Sequence, residues 1–201
     1  MRSDVLPLGI KLDGRLCLVV GSGEEAERRI ATLLDAGARI RVVSERPTPS
    51  IEGLAAAGKV TLAARPFEEA DLDGIWIALL TDPSAPLAAQ IGRIADARQV
   101  LFCAVDQPEH SSFSHLALAR SGPVTVAIST GGRAPSLARR LREELQRIFD
   151  DADLGRFAEQ VAVLRDETPS AARHRVLGDA VRDVRLEGRL LLGGPMPRED
   201  R

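Results

Sequence analysis

Three stretches of this 201-residue chain combine chemically capable residue types with a spacing that aims them at a ligand. The first is Gly21-Ser22-Gly23-Glu24-Glu25-Ala26, which follows the apolar run Leu16–Val20 and opens a helical pattern. Gly21 permits a tight turn, Gly23 lets a pyrophosphate approach the backbone, and Ala26 allows the helix to pack closely on the strand. The N–H groups and partial positive charge of a helix start then favour an anion. The turn reads as a dinucleotide-binding turn; the plainer reading is a tight strand-to-helix turn with no ligand. The second stretch is Cys103-Ala104-Val105-Asp106-Gln107-Pro108. Asp106 ends an apolar run at the carboxyl edge of a strand, where ligands of open α/β sheets bind. A carboxylate there can take a proton or hold a cation, or it can be an ordinary turn or N-cap aspartate. The third is Ser129-Thr130-Gly131-Gly132-Arg133-Ala134-Pro135-Ser136. Two hydroxyls, adjacent glycines and an arginine before a helix start form an anion-binding nest. Arg133 and Arg139 are placed to meet a polycarboxylate, whereas Arg142 and Arg147 pair with Glu143 and Glu144 on a solvated face.

The elements that must carry these residues follow from periodicity. Leu16–Val20, Arg39–Ser44, Val60–Ala64, Trp76–Leu80, Val100–Val105 and Val124–Ile128 are short apolar or β-branched runs that read as six strands. Between them, Glu24–Ala36, Leu54–Ala57 and Pro86–Arg98 carry helical patterns, with Gly37 where a left-handed helix cap belongs. Alternating strand and helix predict an α/β, Rossmann-like parallel sheet with helices on both faces. Beyond it, Pro135–Phe149, Gly155–Glu167, Ser170–Val184 and a segment over Arg185–Leu192 read as helices, with a break at Asp150–Asp153. The expected organisation is a Rossmann-like domain over 1–130, a helical region over 131–192 and a disordered Gly-, Pro- and charge-rich tail over 193–201. The helical third is too small for a core of its own and is expected to pack on a second subunit. Ser44 stands where an acidic residue would grip the ribose 2′-hydroxyl, with Glu45 and Arg46 next. Ser44 can bond a hydroxyl and Arg46 can neutralise a 2′-phosphate, which leaves NAD and NADP both open. Phe113, Leu116, Leu118 and Trp76 read as core.

Composition narrows the function classes. Lys and Arg total 27 against 29 Asp and Glu, a net charge of −2, which removes the electrostatic case for nucleic acid. Aromatics are 3% with no Tyr, so stacking platforms are hard to build. No apolar run reaches the ~18 residues of a membrane span, and the start lacks a signal-peptide core; a soluble cytoplasmic protein is expected. Cys17 and Cys103 lie in apolar runs and read as buried, reduced thiols. With His110, His115 and His174 they show no zinc-ligand spacing, so no resident metal is expected.

Several segments, in order, resemble the precorrin-2 dehydrogenase family, the N-terminal part of siroheme synthase and its stand-alone relatives. They are Leu6-Pro7-Leu8, LVVGSGEEAERRIATLLDAGARIRVVS (18–44), AARPFEEADLDGIWIALLTD (63–82), AVDQPEHSSF (104–113) and GPVTVAISTGGRAPSLARRLREEL (122–145). The S-T-G-G-x-x-P-x-L-A-R-x-L-R-E segment is the most specific. The resemblance implies oxidation of precorrin-2 to sirohydrochlorin with NAD as cofactor, on the way to siroheme or cobalamin. It implies Asp106 as the catalytic aspartate and Gly21 to Ala26, Ser44, Thr81 and Asp82 as cofactor contacts. Ser129, Thr130, Gly131, Gly132, Arg133 and Arg139 become tetrapyrrole contacts, and the chain a homodimer of the stand-alone type. In some members the same site inserts Fe²⁺ or Co²⁺. Against the family pattern, Cys103 replaces an Asn, Pro83 follows Thr81-Asp82, and His115 lies in the hydrophobic segment after Phe113. Two alternatives stand beside the dehydrogenase: a chelatase on the same site, helped by His115, and a non-catalytic dinucleotide- or tetrapyrrole-binding relative.

Overall fold

Residues along β1 (Leu16–Val20), β2 (Arg39–Val43), β3 (Thr61–Ala63), β4 (Ile77–Leu80) and β5 (Leu101–Ala104) point alternately to opposite faces of one sheet. The structure, a computed structural model, describes residues 6–187. The five strands pair in parallel in the order β3-β2-β1-β4-β5, with Val19 level with both Val42 and Leu79. Cys17, Val19, Val42, Leu79 and Cys103 go to one face, where Ala26, Ile30 and Leu33 of α1 (Gly23–Asp35) and Ile51 of α2 (Pro49–Ala56) close over them. Leu18, Val20, Leu80, Phe102 and Ala104 go to the other, against Ala88, Ile91 and Ala95 of α3 (Ala85–Ala97). A sheet covered on both faces explains why these strands read as unbroken apolar runs. Gly37 caps α1 at a φ of 76°, as its position suggested.

The sixth strand departs from expectation. Val124–Ile128, here β7, is not in the parallel sheet; it pairs with β6 (Ala117–Ser121) in a separate two-stranded sheet. The cause is the connection. A parallel neighbour of β5 needs a crossover of about a dozen residues or more, usually a helix, and between Ala104 and Val124 there is no α-helix, only the three-residue 3₁₀ turn Pro108–His110 and β6. Gly122 and Pro123 alone join β6 to β7, and so short a link makes a hairpin. The free edge of β5 is closed instead by two serines. Ser112 donates its N–H to Phe102 O (2.8 Å), and its hydroxyl accepts from Phe102 N–H (2.9 Å). The Ser111 hydroxyl accepts from Ala104 N–H at 3.0 Å. A sheet edge left open would invite another strand.

Contacts divide the chain into two units: residues up to Ala117 with Ala127–Arg140, and Leu118–Val126 with residues from Leu141 on. The second contains the C-terminal part of α4 (Pro135–Asp151), α5 (Leu154–Glu167) and α6 (Ser170–Val181). The hairpin turn meets the start of α5 through glycine on glycine: a Cβ on Gly122 would lie 2.9 Å from Gly155 Cα. The break before α5 is Asp153, at a φ of 48°. Residues 185–187 are not helical, and the rest of the segment expected over Arg185–Leu192, like the tail 193–201, lies outside the described residues. Trp76 is not core: it is 45% exposed, with the Arg15 guanidinium 3.6 Å over its ring. Phe113 is partly buried against the α1-side core.

One polar cluster ties the segment after β3 to the segment before β4. Asp71 is buried in a 3₁₀ turn (Glu69–Leu72), receives Arg65 on both oxygens at 2.8 Å and accepts from Glu68 N–H at 2.9 Å. Burial pushes its carboxyl up, but the Arg65 and Glu68 hydrogen bonds and the Arg65 and Arg41 charges outweigh it and hold it below its ordinary value of 3.8. A depressed carboxylate stabilises the fold above its unfolded-state pKa, and that stability is lost as pH falls through the folded value. Asp71→Asn is therefore expected to cost about 1–3 kcal/mol at neutral pH. In denaturant melts the gap from the parent should close as the pH drops below 4. A gap that widens in acid would contradict this.

Candidate functional site

The carboxyl ends of β1, β2, β4 and β5 form one rim. Gly21 follows β1 and donates its N–H to Val43 O at 2.9 Å; Thr81 follows β4 and donates to Val20 O at 2.9 Å; Val105 follows β5 and donates to Leu80 O at 2.9 Å. These bonds draw three of the expected segments together at the top of the sheet. Gly21 has a φ of 124°, and a Cβ there would run into Thr81 Oγ1 and lie 2.9 Å from Asp82 Oδ1. The β1–α1 turn is thus clamped on the β4–α3 turn, and only glycine fits. Gly23, at a φ of 82°, has nothing within 4 Å of where a Cβ would be. The same turn is closed towards the protein and open above its second glycine.

Ser22 caps α1 but makes no side-chain cap bond, and its Oγ is buried without a partner among the described residues. An orphaned buried hydroxyl is costly; beside the unmet N–H groups of a helix start it suits an anionic oxygen. These residues fit the pyrophosphate of a dinucleotide. Ser22, the first-turn N–H groups and the bare backbone of Gly23 are the groups that would hold it. Glu24 is exposed. The Glu25 side chain is committed elsewhere: Arg28 bonds it and Arg29 Nε donates to it at 2.7 Å. Burial acts to raise the Glu25 carboxyl, but these hydrogen bonds and charges lower it overall. Only the backbones of Glu24 and Glu25 therefore suit an anion. Ser44, 7% exposed, follows β2 with its N–H on Ala63 O at 3.1 Å, while Glu45 and Arg46 are exposed.

Asp106 lies two residues beyond the last β4–β5 pair, Leu80 with Ala104, exposed, with a φ of 59°. Aspartate tolerates this left-handed conformation better than most residues, yet it still carries strain, which accumulates at functional sites. The next turn, Pro108–His110, rests on α3 at Gly92, where a Cβ would come 3.0 Å from His110 O. A rigid helix thus backs the Asp106 loop. Cys103 is buried beneath it, and burial pushes its thiol up despite a hydrogen bond with Ser111. Burial raises the Cys17 thiol to about 11, so both free cysteines are inert, as expected from their apolar runs. His115 stacks edge-on to Phe113, centroids 5.5 Å apart. Burial of the imidazole and the Arg29 charge push its pKa down to about 4. The residue as a whole is exposed, so water screens part of that shift, but its direction favours neutral imidazole.

The Ser129–Arg133 loop organises itself. Ser129 Oγ accepts from Gly131 N–H at 3.1 Å, Thr130 Oγ1 from Ala134 N–H at 3.2 Å, and Gly131 and Gly132 adopt φ values of 61° and 73°. Arg133 and Arg139 are exposed. Hydrogen bonds and the Gly21 contact join the glycine turn, Thr81, Asp82 and the Val105-Asp106 end of β5 at the rim, and the loop, within Ala127–Arg140, belongs to the same unit as the sheet. Among the described residues no group of three or more His, Cys, Asp or Glu could hold a metal, and no helix is long and apolar enough to cross a membrane. The Ser111 and Ser112 edge cap and Gln107 have no signature in the sequence, since hydroxyls and amides carry no signal until the fold brings them to a strand edge.

Residues 8–117 match the family described as "Putative NAD(P)-binding". The chain belongs to that NAD(P)-binding family. Residues 121–148 match a second, "Sirohaem biosynthesis protein central", so the resemblance read from the motifs holds. Siroheme synthases of Escherichia coli (strain K12 / DH10B) and Shigella boydii serotype 18 are 38% identical to this NAD(P)-binding chain over 162 residues. That match takes in 81% of the chain and 35% of each relative, about a third of their length. A solved structure, "SirC, precorrin-2 dehydrogenase", superposes with a TM-score of 0.73 over 89% of this chain and 90% of its own, at 22% identity, and shares its fold.

Proposed function

We propose that this protein oxidises precorrin-2 to sirohydrochlorin with NAD⁺ as hydride acceptor, in siroheme or cobalamin synthesis. The observation that carries the reading is the shared rim: an anion-ready glycine turn and a strained, exposed aspartate on strands joined through β4. Siroheme synthase relatives and the precorrin-2 dehydrogenase fold support it.

NAD⁺, which Gly21, Ser22 and Gly23 would hold, would supply the acceptor for the hydride lost from a C–H bond of the macrocycle. The macrocycle also loses a proton, which the Asp106 carboxylate accepts and passes to water. Gly21, Ser22 and Gly23 hold the pyrophosphate, Ser44 faces the ribose, and Thr81 and Asp82 border the far half. The Ser129–Arg133 loop and Arg139 bind peripheral carboxylates, which arginine meets bidentately. The protein mainly orients; extended conjugation in the product drives the step. Exposed Val163, Val181, Val184 and Leu186 support a homodimer built on the helical region, to be checked by sedimentation.

The test is an absorbance assay with precorrin-2 generated in situ. Sirohydrochlorin and NADH should appear in equal amounts, at a kcat/KM at least tenfold higher with NAD⁺ than with NADP⁺. No oxidation with either nucleotide overturns the reading; faster turnover with NADP⁺ overturns the choice of cofactor. Sirohydrochlorin with Fe²⁺ or Co²⁺ and no NAD⁺ tests the chelatase alternative.

A further inference from the structure

Gln107 follows Asp106, and both polar atoms of its side chain, Oε1 and Nε2, are buried with no hydrogen-bond partner among the described residues. Its backbone cannot move to relieve them. The Gln107 N–H donates to Ala104 O (3.2 Å), and its O accepts from His110 N–H (3.3 Å) and the Ser111 hydroxyl (3.0 Å). Pro108 restricts the residue before it, and Asp106 is already held at a φ of 59°. Only the side-chain torsions remain free. The protein therefore holds an amide in an unfavourable resting place directly beside Asp106.

We infer that Gln107 is a cofactor-binding residue that turns outward to pair its amide with the carboxamide of the nicotinamide ring. This rests on the NAD⁺ reading above. Two observations select the ligand. First, the orphans are one donor and one acceptor. A carboxylate offers acceptors only and leaves Oε1 unpaired, whereas a carboxamide satisfies both. Second, Gln107 lies past the end of β5, beyond β4 from the glycine turn. In sheets of this order the pyrophosphate sits over β1 and the redox end of the dinucleotide extends over the β4 side. The adenine edge also pairs a donor with an acceptor, but it belongs to the β2 side.

The experiment uses Gln107→Met and Gln107→Leu, with unliganded Tm and calorimetric binding of NAD⁺ and of ADP-ribose, which lacks nicotinamide. Removing an unpaired buried amide should raise the unliganded Tm by about 2–4 °C. Losing the carboxamide pair should weaken NAD⁺ about tenfold and leave ADP-ribose within about twofold. A lowered Tm in both variants, or equal weakening of NAD⁺ and ADP-ribose, overturns the inference, because a merely structural glutamine predicts both. Wild-type protein that binds neither nucleotide overturns the NAD⁺ reading and this inference together. Wild-type binding with unchanged NAD⁺ affinity in the variants overturns this inference alone.

Discussion

Asp106→Asn should lower kcat for precorrin-2 oxidation by about 10²–10⁴, the range a positioned base contributes, while Tm stays near the parent value. Asparagine is the informative substitution. It removes the negative charge but keeps the short polar side chain that makes a φ of 59° tolerable. Asp106→Ala should lose the same activity and also some stability, by about 1–2 kcal/mol, because alanine has no such tolerance of left-handed backbone. Comparing the two separates charge from conformation. The residue is exposed, outside both core clusters, so no loss of packing confuses the result. Sirohydrochlorin formed by Asp106→Asn at the parent rate would remove Asp106 from the chemistry.

Gly21→Ala is the change with the largest expected effect on the nucleotide. Two penalties add. A φ of 124° is strained for any side chain, and the new Cβ meets Thr81 Oγ1 and Asp82 Oδ1. Thr81 cannot swing aside freely, since its hydroxyl also donates to Val20 O at 3.2 Å and its χ1 is branched. The dihedral strain alone should destabilise the fold by about 1–3 kcal/mol, and NAD⁺ binding should be lost as the two turns part. Thr81→Ala in the Gly21→Ala background restores room but not the dihedral, so it should recover part of the stability. Gly23→Ala provides the contrast. Its Cβ meets no protein atom, so it should cost stability only through its φ of 82°, yet still block NAD⁺ by filling the space above the turn. Calorimetry and denaturant melts on the three variants check this; NAD⁺ affinity intact in Gly23→Ala would show that the pyrophosphate does not approach there.

Chain order and local periodicity were legible before any coordinates. An apolar five-residue strand, a Gly-x-Gly turn and a helix with apolar positions every three or four residues are short-range patterns, and each formed where it was read. Asp106 could be assigned to a strand end for the same reason: the run before it is apolar and Pro108 stops it. Pairing partners are a different kind of quantity. Val124–Ile128 has the composition of a buried parallel strand, yet its place depends on what connects it to β5, and a two-residue link to β6 left only a hairpin. Trp76 looks like core by type but stands exposed just before β4, where the Arg15 guanidinium lies over its ring. Glu25 looks available until Arg28 and Arg29 are seen to hold it. Whether a polar atom is paired is likewise decided by atoms distant in the chain. The order of strands and helices and the glycine turn could be read directly off the chain, because those rest on neighbours a few residues apart. Tertiary structure alone decided which strand ends share a rim, and that Ser22 and Gln107 are left with unspent hydrogen bonds, because both depend on which distant segments the packed sheet brings into contact.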